Sequence, residues 1–432
     1  MNGLRKLRHP VIGGLFILGL AACGGADAPA PMAEAPETVT PDALPSVQEI
    51  HQAAIVIDGH ADIALPETSP LYLGADGTSK VAPQKLRVGG VDAVVMSLAA
   101  GPKPRTDAGR ASAYAEANTK LEAIEARVAE AGNGLAFATT ADEVRAISEA
   151  GEVAIILGLQ NVQSLEGDVS RIDDFYASGV RVFGLTHMGH NDFSDSSRPM
   201  FDGETGTYEV EEEHGGLSAI GREAVERIDA LGGIIDVSQM SKNATLQAIE
   251  LADTPVIASH SNIKAISDVT RNLSDEEIDR IGETGGVIHI AAFSAYLVDL
   301  SDPEMRDNVR DVRLAAGLPE TYSYPYELYW ELEDETERVT FLTNMRALVG
   351  QEDVSQMVEH IDYVVNRIGV DHVGIGTDFN HGGGIVGFVE ADAAGNVTAE
   401  LVDRGYSAED IGKIWGGNFL RVLDAAAANA AD

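Results

Sequence analysis

The chain has 432 residues, of which 44% are hydrophobic and 23% are charged. This length suits one large barrel or two ordinary domains, and the apolar content excludes an intrinsically disordered chain. The formal net charge of −39 gives a surface that repels nucleic acid and anionic lipid headgroups. We therefore expect no nucleic-acid partner.

The first 23 residues have the pattern of a bacterial targeting segment. Basic side chains at residues 5–8 precede an apolar stretch at residues 11–20, which is too short for a comfortable membrane span. The sequence Leu-Ala-Ala-Cys at residues 20–23 resembles a lipobox, which predicts cleavage before Cys23 and attachment of a lipid to that residue. The alternative is an ordinary signal peptide with an incidental cysteine.

Residues 24–46 are rich in Ala, Pro and Glu, which predicts a flexible tether between the lipid anchor and the folded domain. Cys23 is the only cysteine, so no disulfide can form within the chain. Gly24 stands where an Asp often marks retention in the inner membrane. We expect a lipid-anchored protein of the cell envelope, at the bacterial outer membrane, that contacts the membrane through the anchor only.

Short apolar runs alternate with amphipathic stretches over the rest of the chain. Eight runs are predicted to be strands: Ala54–His60, Val91–Leu98, Val153–Gln160, Val180–His187, Gly233–Gln239, Pro255–His260, Gly286–Ala291 and His372–Phe379. Six stretches are predicted to be helices: Ser112–Ala131, Ile172–Ala177, Ala219–Leu231, Thr245–Ala252, Asp275–Glu283 and Val354–Ile368. This alternation indicates an α/β fold with a parallel sheet, and eight units suit a (β/α)₈ TIM barrel over residues 47–432. A doubly wound open sheet is the alternative, but residues 59–62 are not the glycine-rich phosphate loop that it predicts.

The stretch Phe293–Gln351, after the seventh predicted strand, is too long for a short loop. It contains four tyrosines and Trp330 at residues 322–330, followed by an acidic run. One interpretation is an inserted helical segment that shapes a substrate pocket, since excursions on the C-terminal side of a barrel often do so. The other is a helical decoration with no part in a pocket.

Polar side chains recur at the ends of the predicted strands. His60 and Asp62 point to the same side, because side chains two residues apart on a strand share a face. Similar positions at other strand ends hold Gln160, His187, Gln239, His260 and Asp378. In a barrel these ends converge on the face that carries active sites. Imidazole and carboxylate groups bind divalent metals, so the pattern predicts a metal site.

Together, these motifs resemble the membrane dipeptidase (renal dipeptidase) family of the amidohydrolase superfamily. The resemblance runs from about Ile55 to Val422. Its carriers are Asp-Gly-His-Ala-Asp at 58–62, Leu-Thr-His at 185–187, Ala-Ser-His-Ser at 258–261, Arg-Asn-Leu at 271–273, Gly-Ile-Gly-Thr-Asp-Phe at 374–379 and Trp-Gly-Gly-Asn-Phe at 415–419. The resemblance implies a zinc-dependent dipeptidase that cleaves dipeptides with metal-activated water. It also implies a small peptide substrate, in some members with a C-terminal D-residue. Dipeptidases of this family are often dimers, so a homodimer is one possible state, and the sequence leaves the oligomeric state open.

The resemblance also implies the metal ligands, with two departures. His60 and Asp62 match ligands of a first metal, and His260 matches a ligand of a second. Gln160 stands where the family typically has a bridging Glu, and Gln239 stands where it typically has a His. A neutral amide is a poor bridge between two cations and a weaker zinc ligand than imidazole. We therefore expect one firmly bound Zn²⁺ and a second site that is weak or empty.

Three further residues match the family's catalytic and substrate-binding positions. Asp378 matches the acid/base that moves a proton from water to the leaving amine, and it is also a candidate ligand of the first metal. His187 matches the histidine that contacts the substrate and stabilises the oxyanion. Arg271 matches the arginine that binds the substrate's C-terminal carboxylate; the alternative is a surface or capping arginine before the helix that is predicted to start at Asp275.

Other interpretations stay open at this point. His190, His289 and His381 lie near the motif ends and could each replace a missing ligand, although His289 could equally be a core histidine. A mononuclear amidohydrolase acting on another amide or an ester is an alternative function. A catalytically inactive binding protein is a further alternative, and retention of the predicted catalytic set argues against it.

Overall fold

The computed structural model of the protein describes residues 45–202, 205–329 and 332–430. The predicted signal segment with Cys23, and almost all of the predicted tether, lie outside the described residues, as does Trp330. Within the described part of the chain, no helix is both long enough and apolar enough to cross a bilayer.

Eight parallel strands form the centre of the fold and pair in chain order. Their bounds are β1 Ile57–Asp62, β2 Ala93–Ala99, β3 Val153–Gln160, β4 Val180–Gly184, β5 Ile234–Asp236, β6 Ile257–Ala258, β7 Val287–Ala291 and β8 Val373–Gly376. The chain just after β8 returns to β1, where the Asp62 amide donates to the Phe379 carbonyl at 3.0 Å. The sheet is thus a nearly closed barrel, and the prediction of a TIM-like barrel is confirmed.

Helices cover the outside of this barrel. Their bounds are α1 Val47–Ala53, α2 Pro83–Val88, α3 Asp107–Ala129, α4 Ala141–Glu149, α5 Arg171–Ala177, α6 Ala219–Leu231, α7 Lys242–Leu251, α8 Asp275–Glu283, α9 Ser294–Leu297, α10 Pro303–Ala315, α11 Glu335–Val349, α12 Val354–Ile368, α13 Gly395–Asp403, α14 Ala408–Gly412 and α15 Asn418–Asn429. Short 3₁₀ turns span Pro70–Tyr72, Val162–Leu165, Val370–His372 and Ala391–Ala393, and a π turn spans Lys413–Gly417. Leu135–Phe137 pairs beside β3, and Phe201–Asp202 pairs with Thr207–Tyr208 as a small hairpin.

The strands are buried on both faces, as their continuous apolar sequences predict. Every residue of β3 is buried, which is typical of a parallel strand between helices and barrel interior. Inside the barrel, the His289 ring on β7 lies against Gly59, where a Cβ atom would come within 2.7 Å of the ring. The His289 Nδ1 atom is 3.1 Å from the Ala258 carbonyl oxygen. His289 is therefore a core histidine.

Several strands end earlier than their sequences predict. β5 stops at Asp236 instead of Gln239, and β8 stops at Gly376 instead of Phe379. Gln239 has a φ of 68° and Asp378 a φ of 56°, and this left-handed conformation does not allow the strands to extend to the ends that the sequence predicts. Both residues lie on turns just beyond the barrel, where neighbouring structure must hold them in an unfavourable conformation.

Three helices, α9, α10 and α11, lie between β7 and α12. They share an apolar cluster of their own that includes Val309, Phe341 and Met345. Tyr296 and Tyr324 belong to the same cluster. These two tyrosines also reach the cavity described next, so the segment contributes to its wall.

Candidate active site

A cavity of about 480 Å³ lies at the C-terminal ends of the barrel strands. Its floor includes His187, Gln239 and Asp378, which follow β4, β5 and β8. Its aromatic wall consists of Tyr72, Phe293, Tyr296, Tyr324, Tyr326 and Tyr329. The cavity therefore joins a polar floor to an aromatic wall.

His60, His260 and Asp378 form a cluster whose ligand atoms all lie within 4.8 Å of one another. The two imidazole rings stack with centroids 3.8 Å apart. Burial lowers the pKa of His60 to about 4 and holds the pKa of His260 well below its usual value. Both rings are therefore neutral near pH 7, which is the form that binds a metal. Burial also raises the pKa of Asp378 well above its usual value.

A chain of hydrogen bonds orients His260. The Ser259 hydroxyl donates to the Asp236 carboxylate at 2.5 Å, so its oxygen is left to accept from His260 Nδ1 at 2.8 Å. This arrangement places the proton of the neutral ring on Nδ1. The lone pair on Nε2 then faces the cluster, as a metal ligand requires.

Two amides surround His260 Nε2. The Nε2 atoms of Gln160 and Gln239 lie 3.4 and 3.1 Å from it. One lone pair accepts from one donor only, so the two amides cannot both be satisfied there. The Oε1 atoms of both glutamines are buried and have no hydrogen-bond partner among the described residues.

The donors of this region fit a divalent metal. His60 Nε2 and Asp62 Oδ1 are also buried without a hydrogen-bond partner among the described residues. Each unmet buried polar group costs about 1–3 kcal/mol, so unmet donors and acceptors at one place point to a ligand that satisfies them. Nitrogen and oxygen donors of this kind suit a borderline divalent cation.

Asp62 lies beside this cluster and pairs with His381, which the sequence placed only near the end of a motif. Its Oδ2 atom is 3.3 Å from His381 Nδ1, and its Oδ1 atom is 3.9 Å from Lys120 Nζ on α3. The His381 ring stacks on the His187 ring with centroids 5.2 Å apart, and both rings line the cavity. Asp62, His381 and His187 thus form a polar layer next to the cluster.

His187 and Arg271 are both buried with unused hydrogen-bonding atoms. Burial holds the pKa of His187 well below its usual value, and its Nδ1 atom has no partner in the described chain. Arg271 is 2% exposed; its Nη1 donates to Ser261 Oγ at 3.0 Å, while Nε and Nη2 lack partners in the described chain. The helix that follows is capped by Ser274, so Arg271 is neither a surface nor a capping arginine.

His190 does not join the site, although its position in the sequence allowed it. Its Nε2 atom is 2.8 Å from the Val210 carbonyl oxygen, and its Nδ1 atom accepts from the Ser196 amide at 3.0 Å. Both ring nitrogens are used, so His190 is a structural residue of the loop after β4.

The structure adds residues that sequence reasoning missed. Asp58 accepts from the Thr377 amide at 2.8 Å and from its hydroxyl at 2.6 Å, which ties β1 to the end of β8. Asp236 orients His260 through Ser259. Arg198, in the loop after β4, lines the cavity. Asp58 and Asp236 lie within the strand-end motifs and could have been found there; no local signal marks Arg198.

Comparison with known proteins shows the family to which the chain belongs. The sequence model of the membrane dipeptidase family (peptidase family M19) matches residues 44–432. Dipeptidase tcpJ of Claviceps purpurea is 29% identical over 291 residues, which cover 66% of this chain and 54% of that protein. Dipeptidase aclJ of Aspergillus oryzae is 27% identical over 63% of this chain and 51% of that protein. The chain spans about half the length of these two relatives.

Solved structures share the fold. The probable dipeptidase PvdM from Pseudomonas aeruginosa superposes with a TM-score of 0.77 and is 32% identical, covering 89% of this chain and 98% of that chain. A metallo peptidase from Rhodobacter sphaeroides, liganded with a phosphinate mimic of the dipeptide L-Ala-D-Ala, has a TM-score of 0.66 at 19% identity, covering 86% and 99% of the two chains. With a family match over nearly all of the described residues, this chain belongs to the membrane dipeptidase family.

Proposed function

We propose that the protein is a metal-dependent dipeptidase that hydrolyses the peptide bond of dipeptides. The observation that carries the proposal is the cluster of His60, His260 and Asp378, with unmet buried polar atoms around it. Asp378 connects this cluster to the cavity of about 480 Å³, whose wall it lines. This volume suits a small ligand such as a short peptide. Family membership supports the reaction class.

The residues of the site divide the work of hydrolysis. Zn²⁺ is the metal that we propose for the cluster, and when bound it supplies a water of lowered pKa and polarises the substrate carbonyl. Asp378 accepts the proton of the attacking water and returns it to the leaving amine. The neutral His187 ring donates an N–H to the carbonyl oxygen as negative charge develops there. Arg271 has unpartnered N–H groups that can bind the C-terminal carboxylate of the substrate.

The test is hydrolysis of a panel of L,L and L,D dipeptides by protein lacking residues 1–23, with added Zn²⁺ and again with a chelator. We expect release of free amino acids that requires zinc. The Asp378→Asn variant is the control for contaminating peptidases. No release across the panel by well-folded, zinc-loaded protein would overturn the proposal.

We further propose that one Zn²⁺ is firmly bound per chain. Gln160 and Gln239 both face His260, and neither brings the negative charge or the imidazole that would help to hold a second cation. Metal analysis of the dialysed protein should give one zinc per chain. The double variant Gln160→Glu with Gln239→His should bind a second zinc, and two zinc ions in the unaltered protein would contradict this proposal.

The same two glutamines favour a second candidate function, a mononuclear amidohydrolase that acts on another amide or an ester. A site with one metal offers less stabilisation to the tetrahedral oxyanion, so it favours substrates whose leaving group departs more easily than the amine of a peptide. Adding p-nitrophenyl esters and N-acyl amides to the dipeptide panel separates the two functions. Turnover of these compounds without turnover of any dipeptide would favour the second candidate.

The N-terminal sequence supports a lipid anchor. We infer that Cys23 carries a lipid that anchors the protein at the outer membrane, which is supported by the lipobox-like sequence at residues 20–23. Partition of the full chain into detergent, lost in Cys23→Ser, tests this anchor.

We also infer that Phe293–Gln351 is an insertion that shapes the pocket, because Tyr296 and Tyr324 in it line the cavity.

A further inference from the structure

Arg198 is a buried cation that forms no ion pair with any of the described residues. It is 4% exposed and lines the cavity. Its Nη2 donates to Met188 Sδ at 2.7 Å, its guanidinium lies 4.2 Å from the Tyr324 ring centroid, and its Nε has no partner among the described residues. None of these contacts is an ion pair. Buried charges are normally paired, because an unpaired one is costly.

Two acidic residues, Asp378 and Glu327, interact electrostatically with Arg198, and both are already engaged. Asp378 belongs to the cluster with His60 and His260. Glu327 stabilises the charged form of Arg198, but without an ion pair to it. The Glu327 Oε2 atom accepts from the Ser323 amide at 2.6 Å and from the Tyr208 hydroxyl at 3.1 Å, and Oε1 accepts from the Ser323 hydroxyl at 2.6 Å. Because both of its carboxylate oxygens are already bound, Glu327 does not act as the counterion of the Arg198 guanidinium.

Arg198 also has a counterpart, so that two guanidinium groups lie near the cavity. Arg271 lies 4.5 Å from the centroid of the Tyr296 ring, as Arg198 lies over Tyr324, and the two tyrosine centroids are 6.2 Å apart. The proposed function gives Arg271 the C-terminal carboxylate of the substrate. A dipeptide with neutral side chains offers no second anion, so Arg198 would have no ion pair with the substrate when such a dipeptide is bound.

We propose that Arg198 binds the carboxylate of an acidic side chain, so that the enzyme prefers dipeptides that contain Asp or Glu. This inference rests on the proposed function and names its substrate class. The planar guanidinium, held against Tyr324, can donate two parallel N–H groups to a carboxylate. Because the partner group is charged and the site is buried, the preference should be large enough to measure as a difference in affinity.

The test compares ligands that differ by one charge. Phosphinate mimics of Ala-Glu, Ala-Gln, Glu-Ala and Gln-Ala are titrated into zinc-loaded protein by calorimetry, so that no turnover is needed. We expect at least one Glu mimic to bind about tenfold more tightly than its Gln partner. In Arg198→Met this ratio should fall to about one, because the affinity for the Glu mimic falls more than the affinity for the Gln mimic.

Arg181→Met is the matched control, since Arg181 also stacks on a tyrosine, 4.0 Å from the Tyr176 centroid, but is not part of the cavity wall. It should keep the preference for Glu. A ratio of one in the unaltered protein for both pairs overturns the inference, whether or not the Arg198 variant folds. Equal losses for the Glu and Gln mimics in Arg198→Met also overturn it, because Arg198 would then bind a group common to both. Failure of the proposed function looks different: no dipeptide is hydrolysed, whatever the ratio of affinities.

Discussion

Two groups of buried polar side chains at the C-terminal face of the barrel differ in how their hydrogen-bonding capacity is met. The strand-end cluster consists of His60, Gln160, Gln239, His260 and Asp378. The loop cluster, in the loop after β4, consists of His190, Asn191 and Asp195. Both clusters are almost fully buried. Burial and polarity therefore do not distinguish them.

The loop cluster satisfies its own polar atoms. The Asp195 carboxylate accepts from the backbone amides of residues 213, 214 and 216 at 2.9–3.1 Å. The Asn191 side chain donates to the Leu185 carbonyl at 2.7 Å and accepts from two amides of the next turn. The cluster thereby fixes the path of a long loop without any added group.

The strand-end cluster leaves several atoms unmet, including His60 Nε2 and the side-chain oxygens of both glutamines. Several buried atoms without partners at one place indicate a missing ligand, whereas a group of side chains that satisfy one another indicates a structural role. The candidate site is therefore marked by unmet hydrogen-bonding capacity and not by burial. Changes to the strand-end cluster should alter function, and changes to the loop cluster should alter stability.

The largest effect is expected for Asp378→Asn. The amide has the shape of the acid but cannot carry the proton, so the turnover number should fall about 10³-fold. In the presence of a chelator the thermal midpoint should not fall, because burial raises the pKa of this carboxyl and so disfavours its charged form. Dipeptide kinetics, with zinc content measured alongside, check both expectations. Turnover within tenfold of the unaltered enzyme would remove Asp378 from the mechanism.

The next effect is expected for Asp195→Ala in the loop cluster. The change leaves three backbone amides without their acceptor, which should lower the free energy of unfolding by about 3 kcal/mol. Urea unfolding followed by circular dichroism measures it. Asp168→Ala is the control, because Asp168 caps the Ser170 amide at an exposed turn, and it should have a smaller effect. If Asp195→Ala lowers the free energy of unfolding as little as Asp168→Ala does, the structural role of the loop cluster is contradicted.

Removal of zinc should destabilise the protein through the strand-end cluster alone. With free Zn²⁺ at 100 times its Kd, binding adds about 2.7 kcal/mol to the free energy of unfolding, and a chelator removes this contribution. The loss should be the same in Asp195→Ala as in the unaltered protein, since the two clusters bind different groups. Thermal unfolding with and without a chelator is the measurement. Equal midpoints in the two conditions would mean that the unmet atoms do not bind zinc.

The smallest effect is expected for Ser259→Ala. The change removes the acceptor that holds the proton of His260 on Nδ1, so zinc affinity should fall about tenfold. Competition with a chromogenic chelator measures the affinity, and unfolding in the presence of a chelator checks that the fold is unchanged. An unaltered affinity would show that the stacked rings of His60 and His260 orient the ligand without the serine.

Most of the barrel could be predicted from the sequence, because its strands are apolar runs whose burial on both faces is written into consecutive residues. Their ends could not, since the left-handed turns at Gln239 and Asp378 depend on contacts made after the barrel closes. Within the candidate site, His60, His260 and Asp378 could be predicted, because they belong to the pattern of polar residues at the ends of apolar runs. Arg198 does not, because its burial depends on Tyr324, which is distant in the sequence.

The return of β8 to β1 has a consequence for how the protein matures. The Asp378 amide donates to the His60 carbonyl at 2.9 Å, and the Thr377 hydroxyl lies 3.4 Å from the same oxygen across 317 positions of sequence. His60, the first residue of the cluster, thus leaves the ribosome long before Asp378, which follows the last strand. A nascent or truncated chain that ends before Val373 lacks Asp378, one of the three residues of the cluster, so the cluster can form only once the end of the barrel has been made.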